Sequence, residues 1–440
     1  MYLPRNVDAE LTAWRNEKES KPLLIRGARQ VGKSTVVREL AKQFDHFLEI
    51  NFEEQRSIHK VFEGDLNPFE LSENLSLIYN VPILPGKTLL FFDEIQACIP
   101  AISSLRFFYE KYPQLHVIAA GSLLEFAMTE IPSFGVGRIR SLFMYPLSFD
   151  EYLLAMGEQG LYSAKKKAAP NMPLTEAIHL KLLYHLKRFL IIGGMPEVVS
   201  GYIQKKDLNA CGQLLDDLII TLKADFAKYK KRVPTLRIAE VFESVVRQAG
   251  GKFIYARAAS QANHAQIKEA VELLMMAGLI IPVTHTSAIG IPLGAESNPG
   301  KRKMILLDTG IFQRLLGLNI AELLLEDDFD VINKGFIAEQ FTGLELLKSL
   351  SPYRQENLYY WLRDARNSNA EIDFLITQGA DIIPVEVKSG KKGTMQSMRI
   401  FMQEKDSPYG IRVSLENYAE YDNIRVYPLY GIGELLNATK

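Results

Sequence analysis

Residues 27–34, Gly27-Ala28-Arg29-Gln30-Val31-Gly32-Lys33-Ser34, satisfy the pattern GxxxxGK[ST] at every fixed position. The flanks narrow what can hold it: Pro22-Leu23-Leu24-Ile25 is an apolar, strand-like run, and Thr35-Val36-Val37-Arg38-Glu39-Leu40 has a helical pattern. Strand, glycine-bounded turn and helix start together make a phosphate cradle. Glycines let the backbone turn inward so that successive amides converge on phosphate oxygens, and the helix dipole faces the same anion. Gly27, Ala28, Arg29, Gln30, Val31, Gly32, Lys33, Ser34 and Thr35 are therefore the expected contacts to a nucleoside triphosphate, taken as ATP. Lys33 is expected to reach the β- and γ-phosphates and the Ser34 hydroxyl to ligate Mg²⁺. The competing reading, a glycine turn that happens to carry Lys-Ser, does not explain the matching flanks.

A second apolar run, Thr88-Leu89-Leu90-Phe91-Phe92, ends in Asp93-Glu94. A strand covered on both faces reads this way, and open α/β sheets place ligands at the carboxyl ends of their strands. Asp93 is expected in the Mg²⁺ shell, and Glu94 as the base that polarises the attacking water. Leu115-His116-Val117-Ile118-Ala119-Ala120 reads as another buried strand, followed by Gly121-Ser122. By position Ser122 fits a sensor of the γ-phosphate, although a Gly-Ser turn after any strand would look the same. Arg138, or Arg140 beside it, is a candidate for stabilising γ-phosphate charge, in cis or across the boundary of an oligomer; a solvated arginine is the alternative.

At 440 residues the chain is long enough for two or three domains. It is 47% hydrophobic and 23% charged with a formal net charge of −1, which excludes the general basic excess of a nucleic-acid-coating protein but not a local basic groove. Cys98 and Cys211 are its two cysteines, too few for a disulfide framework or a zinc cluster. Neither a signal peptide nor a membrane-length apolar run is visible, so a cytoplasmic location without membrane attachment is expected.

Loop-like composition marks joints at residues 157–173, which include Lys165-Lys166-Lys167, at 288–303, read as a loop or hairpin tip, and at about 320–334. Leu236–Val246, the turn Gly250-Gly251 and Gln266–Met276 have helix–turn–helix spacing. Strand-like Gly278–Thr284 and Met304–Asp308 follow, completing a winged-helix pattern. The second helix carries one Lys against two Glu in Gln266–Glu272, so packing against a neighbouring domain is a better reading than direct DNA contact.

The last hundred residues carry a second constellation. Ile372-Asp373-Phe374-Leu375-Ile376 and Ile382–Lys388 read as strands, with Glu386 and Lys388 on one face because strand side chains alternate. Glu339 lies on a helix opening at Lys334. An Asp followed by Glu-x-Lys is the arrangement of metal-dependent nucleases. There Glu339, Asp373 and Glu386 would hold a second Mg²⁺ or Mn²⁺, and Lys388 would position a water and offset phosphate charge. Solvated cross-strand pairs are the competing reading, but Asp373 and Glu386 interrupt strongly apolar strands. Lys391 and Lys392 add a local basic feature beside Lys388.

Over essentially its whole length the chain resembles a family of prokaryotic AAA-like P-loop ATPases with a C-terminal restriction-endonuclease-like domain of unknown function. The resemblance rests on Arg26–Ser34, Phe92-Asp93-Glu94-Ile95-Gln96, Ala120-Gly121-Ser122, Gly137-Arg138, Tyr145-Pro146-Leu147-Ser148-Phe149, Gly193-Gly194-Met195-Pro196-Glu197, Leu307-Asp308-Thr309-Gly310, Glu371–Phe374 and Val385–Gly390. It implies an α/β protein: a P-loop parallel sheet with flanking helices at 1–156, a helical winged-helix region at 174–318, and a small α/β restriction-endonuclease-like domain at 331–440. Two functions follow. In one, ATP hydrolysis with Mg²⁺ is coupled to a metal-dependent nuclease domain acting on DNA. In the other, ATP operates a regulatory switch whose C-terminal domain binds a partner or nucleic acid without cleavage. They part on whether Glu339, Asp373, Glu386 and Lys388 converge on one point.

Overall fold

The computed structural model describes residues 1–129, 137–229, 233–259, 263–318, 335–363, 370–388 and 395–436. Contacts divide the chain into two units. One comprises Met1–Tyr145 with Met276–Gly278 and Pro352–Gln355; the other comprises Pro146–Met275, Leu279–Ser351 and Glu356–Lys440.

The apolar runs of the first unit become the strands of one parallel sheet. Its elements are α1 (Val7–Arg15), β1 (Leu23–Arg26), α2 (Lys33–Ala41), β2 (His46–Asn51), α3 (Pro68–Tyr79), β3 (Thr88–Asp93), α4 (Ile99–Lys111), β4 (His116–Ala120), α5 (Leu124–Met128) and β5 (Arg140–Phe143). Strand order is β2-β3-β4-β1-β5, with every neighbour parallel. Every residue of β3 and β4 is buried, the pattern expected where helices cover both faces. β4 lies between β1 and β3. The pairings Ile25↔Ala120 and Phe92↔Ala119 bring the carboxyl ends of all three strands level. Phe52, Phe62 and Phe92 pack edge to face, with ring centroids 5.3–5.6 Å apart.

The second unit begins with α6 (Phe149–Ala155), started by a capping box between Ser148 and Glu151. It continues through α7 (Gln159–Lys167), α8 (Glu176–Ile192), α9 (Pro196–Lys205), α10 (Leu208–Asp225), α11 (Thr235–Arg247) and α12 (His264–Met276). Then come β6 (Ile280–Thr286), β7 (Ser297–Leu306), α13 (Thr309–Leu315), α14 (Gly335–Ser349), β8 (Leu358–Leu362), β9 (Glu371–Gln378), β10 (Asp381–Val387), α15 (Gln396–Glu404), β11 (Gly410–Ser414), β12 (Ala419–Tyr421) and β13 (Ile424–Pro428). All eight strands form one sheet, β12-β13-β11-β10-β9-β8-β6-β7. Among the described residues no helix is long and apolar enough to cross a membrane.

Two stretches differ from the sequence expectation. Residues 157–173 hold α7, and Lys165 is 1% exposed. Its Nζ lies 2.7 Å from Asp150 and 2.6 Å from Glu434, while Lys166 pairs with the same two carboxylates at 2.8 and 2.9 Å. A lysine run reads as solvated unless its counter-charges are known, and Glu434 is 269 residues away. Residues 297–303 are strand rather than hairpin tip, because β7 pairs along most of β6, Lys303 facing Val283. This hairpin, assigned from sequence to the middle region, joins the C-terminal strands through parallel pairing of β6 with β8.

The Gly-Gly-Met-Pro motif also gains a physical account. Buried Asp308 accepts the Gly194 amide at 2.6 Å and the Ile311 amide at 3.0 Å, and the Gly194 carbonyl accepts the Leu147 amide at 2.7 Å. A Cβ on Gly194 would sit 2.2 Å from the Leu147 carbonyl oxygen, and one on Gly310 2.5 Å from that of Ile192. Three distant motifs are thus one interlocked backbone crossing.

Candidate functional site

The phosphate loop connects β1 to α2 through positive φ at Gly27 (144°), Gln30 (64°) and Gly32 (96°). A Cβ at Gly27 would lie 2.2 Å from the Met144 carbonyl oxygen, so glycine is needed where the loop leaves the sheet. Arg5 ties the loop down, donating to the Val31 carbonyl at 2.8 Å and the Tyr145 carbonyl at 2.7 Å. Ala28 is buried, Arg29 half-buried, and Gln30 and Thr35 are exposed. Lys33, buried at the head of α2, donates from Nζ to the carbonyls of Ala28 (2.8 Å) and Gly27 (3.0 Å). Burial pulls its pKa down to about 8; Glu94 and Asp93 oppose that shift and Arg29 adds to it.

Ser34 Oγ donates to Asp93 at 2.9 Å (Oδ2) and 3.1 Å (Oδ1). Burial raises the Asp93 carboxyl above its usual range, and the Ser34 hydrogen bond partly counters this. Glu94 follows in the left-handed region, φ 47°, where a non-glycine residue is uncommon. Its Oε2 accepts from Gln96 Nε2 at 2.6 Å, from Ser122 Oγ at 3.3 Å and from the Ser122 amide at 3.4 Å. Ser122 therefore joins the end of β4 to the acidic residue after β3. Gln96 is a neighbour that sequence reasoning did not single out; a Cβ on Gly121 would lie 1.9 Å from its Oε1, so the Gly-Ser pair makes room for it. Lys33, Ser34, Asp93, Glu94 and Ser122 stand together at the carboxyl end of the sheet. A buried ammonium and a hydroxyl on a carboxylate, beside a glycine-bounded loop, fit a magnesium nucleotide. Arg138 is ion-paired to Glu110 on α4, and Arg140 to Glu17 at 2.6 Å.

In the second unit the carboxylates expected to share a metal are instead paired with two different lysines. Glu339 on α14 and Asp373 on β9 meet, together with Glu371, around Lys303 of β7. Lys303 Nζ is 2.8 Å from Glu339 Oε1 and 3.5 Å from Asp373 Oδ1, and it is ion-paired to Glu371. Lys303 is 4% exposed in its side chain and is held firmly protonated, the surrounding carboxylates overcoming burial. Burial, with Asp373 and Glu371 nearby, pushes the Glu339 carboxyl up to about 7 despite Lys303. Asp373 Oδ2 accepts the Val387 amide at 2.9 Å. Glu386 is buried and turned to Lys388, whose Nζ lies 2.5 Å from Oε1; Oε2 has no hydrogen-bond partner among the described residues. Burial raises the Glu386 carboxyl, with Lys388 opposing. Glu386 and Lys388 do share a strand face. As arranged, however, these residues do not fit a divalent ion, because an ammonium stands between Glu339 and Asp373. Among the described residues no three His, Cys, Asp or Glu side chains are grouped to hold a metal. Beside the cluster lies an open cleft of about 300 Å³ whose walls include Gly250, Phe336, Glu339 and Asp373. Lys391 and Lys392 lie outside the described residues.

Three family models match parts of the chain. Residues 19–153 match an AAA domain, 183–322 a domain of unknown function (DUF8612), and 334–432 another (DUF4143). The phosphate loop and both acidic residues fall within the first, and that segment is a P-loop ATPase domain. No curated protein matches the chain. Solved structures that do include the Walker-type ATPase of Pyrococcus abyssi, 14% identical, covering 72% of this chain and 96% of that one with a TM-score of 0.46. Another is the Aeropyrum pernix Orc1 protein in complex with DNA, 12% identical, covering 74% and 96% with a TM-score of 0.30.

Proposed function

We propose that the first unit hydrolyses ATP with Mg²⁺ and that the chain works as an ATP-operated switch, its larger unit holding a partner without cutting it. The observation that carries the hydrolase reading is the Ser34–Asp93 hydrogen bond beside Glu94 and Ser122. It brings together the hydroxyl and carboxylate that would bind the metal and the carboxylate that would act as base. Bound Mg²⁺ supplies charge neutralisation at the phosphates. Lys33 would turn from its two loop carbonyls to phosphate oxygens, and Ser34 and Asp93 would hold the ion. Glu94 accepts the proton of the attacking water once it is released from Ser122 and Gln96, which hold its Oε2. Arg138 or Arg140 would act on γ-phosphate charge only by leaving its present carboxylate partner.

For the larger unit, the order α14-β8-β9-β10-α15-β11, with Asp373 and Glu386-x-Lys388 on adjacent strands, supports a restriction-endonuclease-like fold. The helices α11 and α12 with the β6–β7 hairpin support a winged-helix reading. What favours binding over cleavage is that each carboxylate already has a lysine: Glu386 pairs with Lys388, while Glu339 and Asp373 pair with Lys303. DNA is the partner to test first. Full-length protein with ATP and Mg²⁺ is expected to release phosphate and to leave single-stranded, duplex and supercoiled DNA intact. Phosphate release no faster than buffer sinks the hydrolase reading, and Asp373-dependent nicking sinks the non-cutting one.

A further inference from the structure

We infer that Lys303 stands, from within the chain, where a metal-dependent nuclease holds its divalent ion, so that Glu339, Glu371 and Asp373 gather around an internal cation. This deepens the reading of the larger unit as nuclease-like but non-cutting. The arrangement is built by the fold. Glu371 and Asp373 are two residues apart on β9 and so face the same side of the sheet. Glu339 comes from α14. The hairpin β6–β7 extends the sheet past β8 and delivers Lys303 to all three.

The lysine is held on every side. Its Nζ touches Glu371, lies 2.8 Å from Glu339 and 3.5 Å from Asp373, and sits 5.4 Å from the centre of the Tyr360 ring. A buried ammonium needs such an environment, since three donors and one charge must all be satisfied away from water. A hard divalent ion instead draws several oxygens to about 2.0–2.6 Å. It cannot do so between Glu339 and Asp373 while an ammonium stands there. The remaining oxygen of Asp373 is committed to the Val387 amide at 2.9 Å. Glu386, which would complete a metal shell, is paired to Lys388 at 2.5 Å. The carboxylates thus serve to anchor the hairpin to the C-terminal strands, and Glu339 and Asp373 also form part of the wall of the cleft beside them.

The test is Mn²⁺ binding by electron paramagnetic resonance on the full chain without nucleotide, read as the difference between each protein and its Asp373→Ala derivative. That difference removes any ion held at the phosphate loop. Wild type is expected to show no Asp373-dependent ion. Lys303→Met, which keeps the apolar stem and removes the charge, is expected to gain one Mn²⁺ that Lys303→Met/Asp373→Ala lacks. An Asp373-dependent Mn²⁺ in the wild type overturns the inference, and so does a folded Lys303→Met that gains none. Should Lys303→Met fail to fold, the wild-type pair still decides. Nicking of DNA without an Asp373-dependent ion would sink the non-cutting reading while leaving the role of Lys303 standing.

Discussion

Ser34 Oγ donates to Asp93 Oδ2 at 2.9 Å across 59 residues of sequence, so the phosphate loop and the acidic strand are two halves of one site. In the proposed reading a magnesium ion would take both groups in place of this hydrogen bond. Asp93→Ala is therefore expected to remove the Mg²⁺-dependent gain in affinity for a fluorescent ATP analogue and to leave affinity in EDTA within about twofold, since the charge-assisted bonds to phosphate stay in place. Equal responses of wild type and variant to Mg²⁺ would show that the ion is held elsewhere.

Lys33 makes affinity pH-dependent with a definite sign. Burial sets its pKa to about 8 in the nucleotide-free protein. Bound phosphate favours the charged form, so the complex titrates higher and binding takes up a proton above pH 8. Affinity measured in EDTA is expected to be flat below that pH and to fall by up to about tenfold per unit above it. Lys33→Ala, lacking the ammonium proposed to reach the β- and γ-phosphates, is expected to bind too weakly to measure. A wild-type profile that stays flat to pH 9.5 in buffers of constant ionic strength would refute this.

Glu94 is held by Ser122 and Gln96 rather than directed by its own backbone alone. Glu94→Gln keeps size and hydrogen-bonding capacity but cannot accept a proton, so turnover should fall roughly 10²-fold or more with ATP binding retained. Ser122→Ala removes one positioning contact and is expected to lower kcat by a smaller factor. Phosphate release unchanged in Glu94→Gln would remove Glu94 from the water-activating role.

The nucleotide site was legible in sequence because its demands are local. A left-handed turn at Gly32, a lysine and a hydroxyl must follow one another, and β3 must end in a carboxylate. The shared face of Glu386 and Lys388 was legible for the same reason, a two-residue period. Lys303 was not. It follows Gly300 in a polar run that looks like a turn, and its partners Glu339 and Asp373 lie 36 and 70 residues downstream. The pairing of β6 with β8 and the packing of α14 on the sheet bring them together. Likewise nothing near Gly194 announces that its amide is reserved for Asp308, 114 residues on. Non-local pairing hides function from periodicity, whereas backbone geometry at a tight loop displays it.

The cluster of Lys165, Lys166, Asp150 and Glu434 gives the last prediction, on stability. Two ammonium and two carboxylate groups close on one another, with Lys165 1% exposed and Lys166 31% exposed in their side chains. Lys165→Ala leaves Asp150 and Glu434 largely buried with one partly solvated partner. Breaking a buried pair in this way costs about 3–5 kcal/mol, against about 1 kcal/mol or less for the more exposed Lys166→Ala. Burial alone would raise the Asp150 carboxyl, but Lys165 and Lys166 outweigh it and hold it below its usual value. Its contribution is therefore complete above the unfolded-state pKa, about 4, and is lost as pH falls through the lower folded value. Urea denaturation of the full chain should show the gap between wild type and Lys165→Ala at pH 7 and its narrowing below pH 4. Equal stability at pH 7, or a gap that widens in acid, would mean that the four charges do not act as a compensated group.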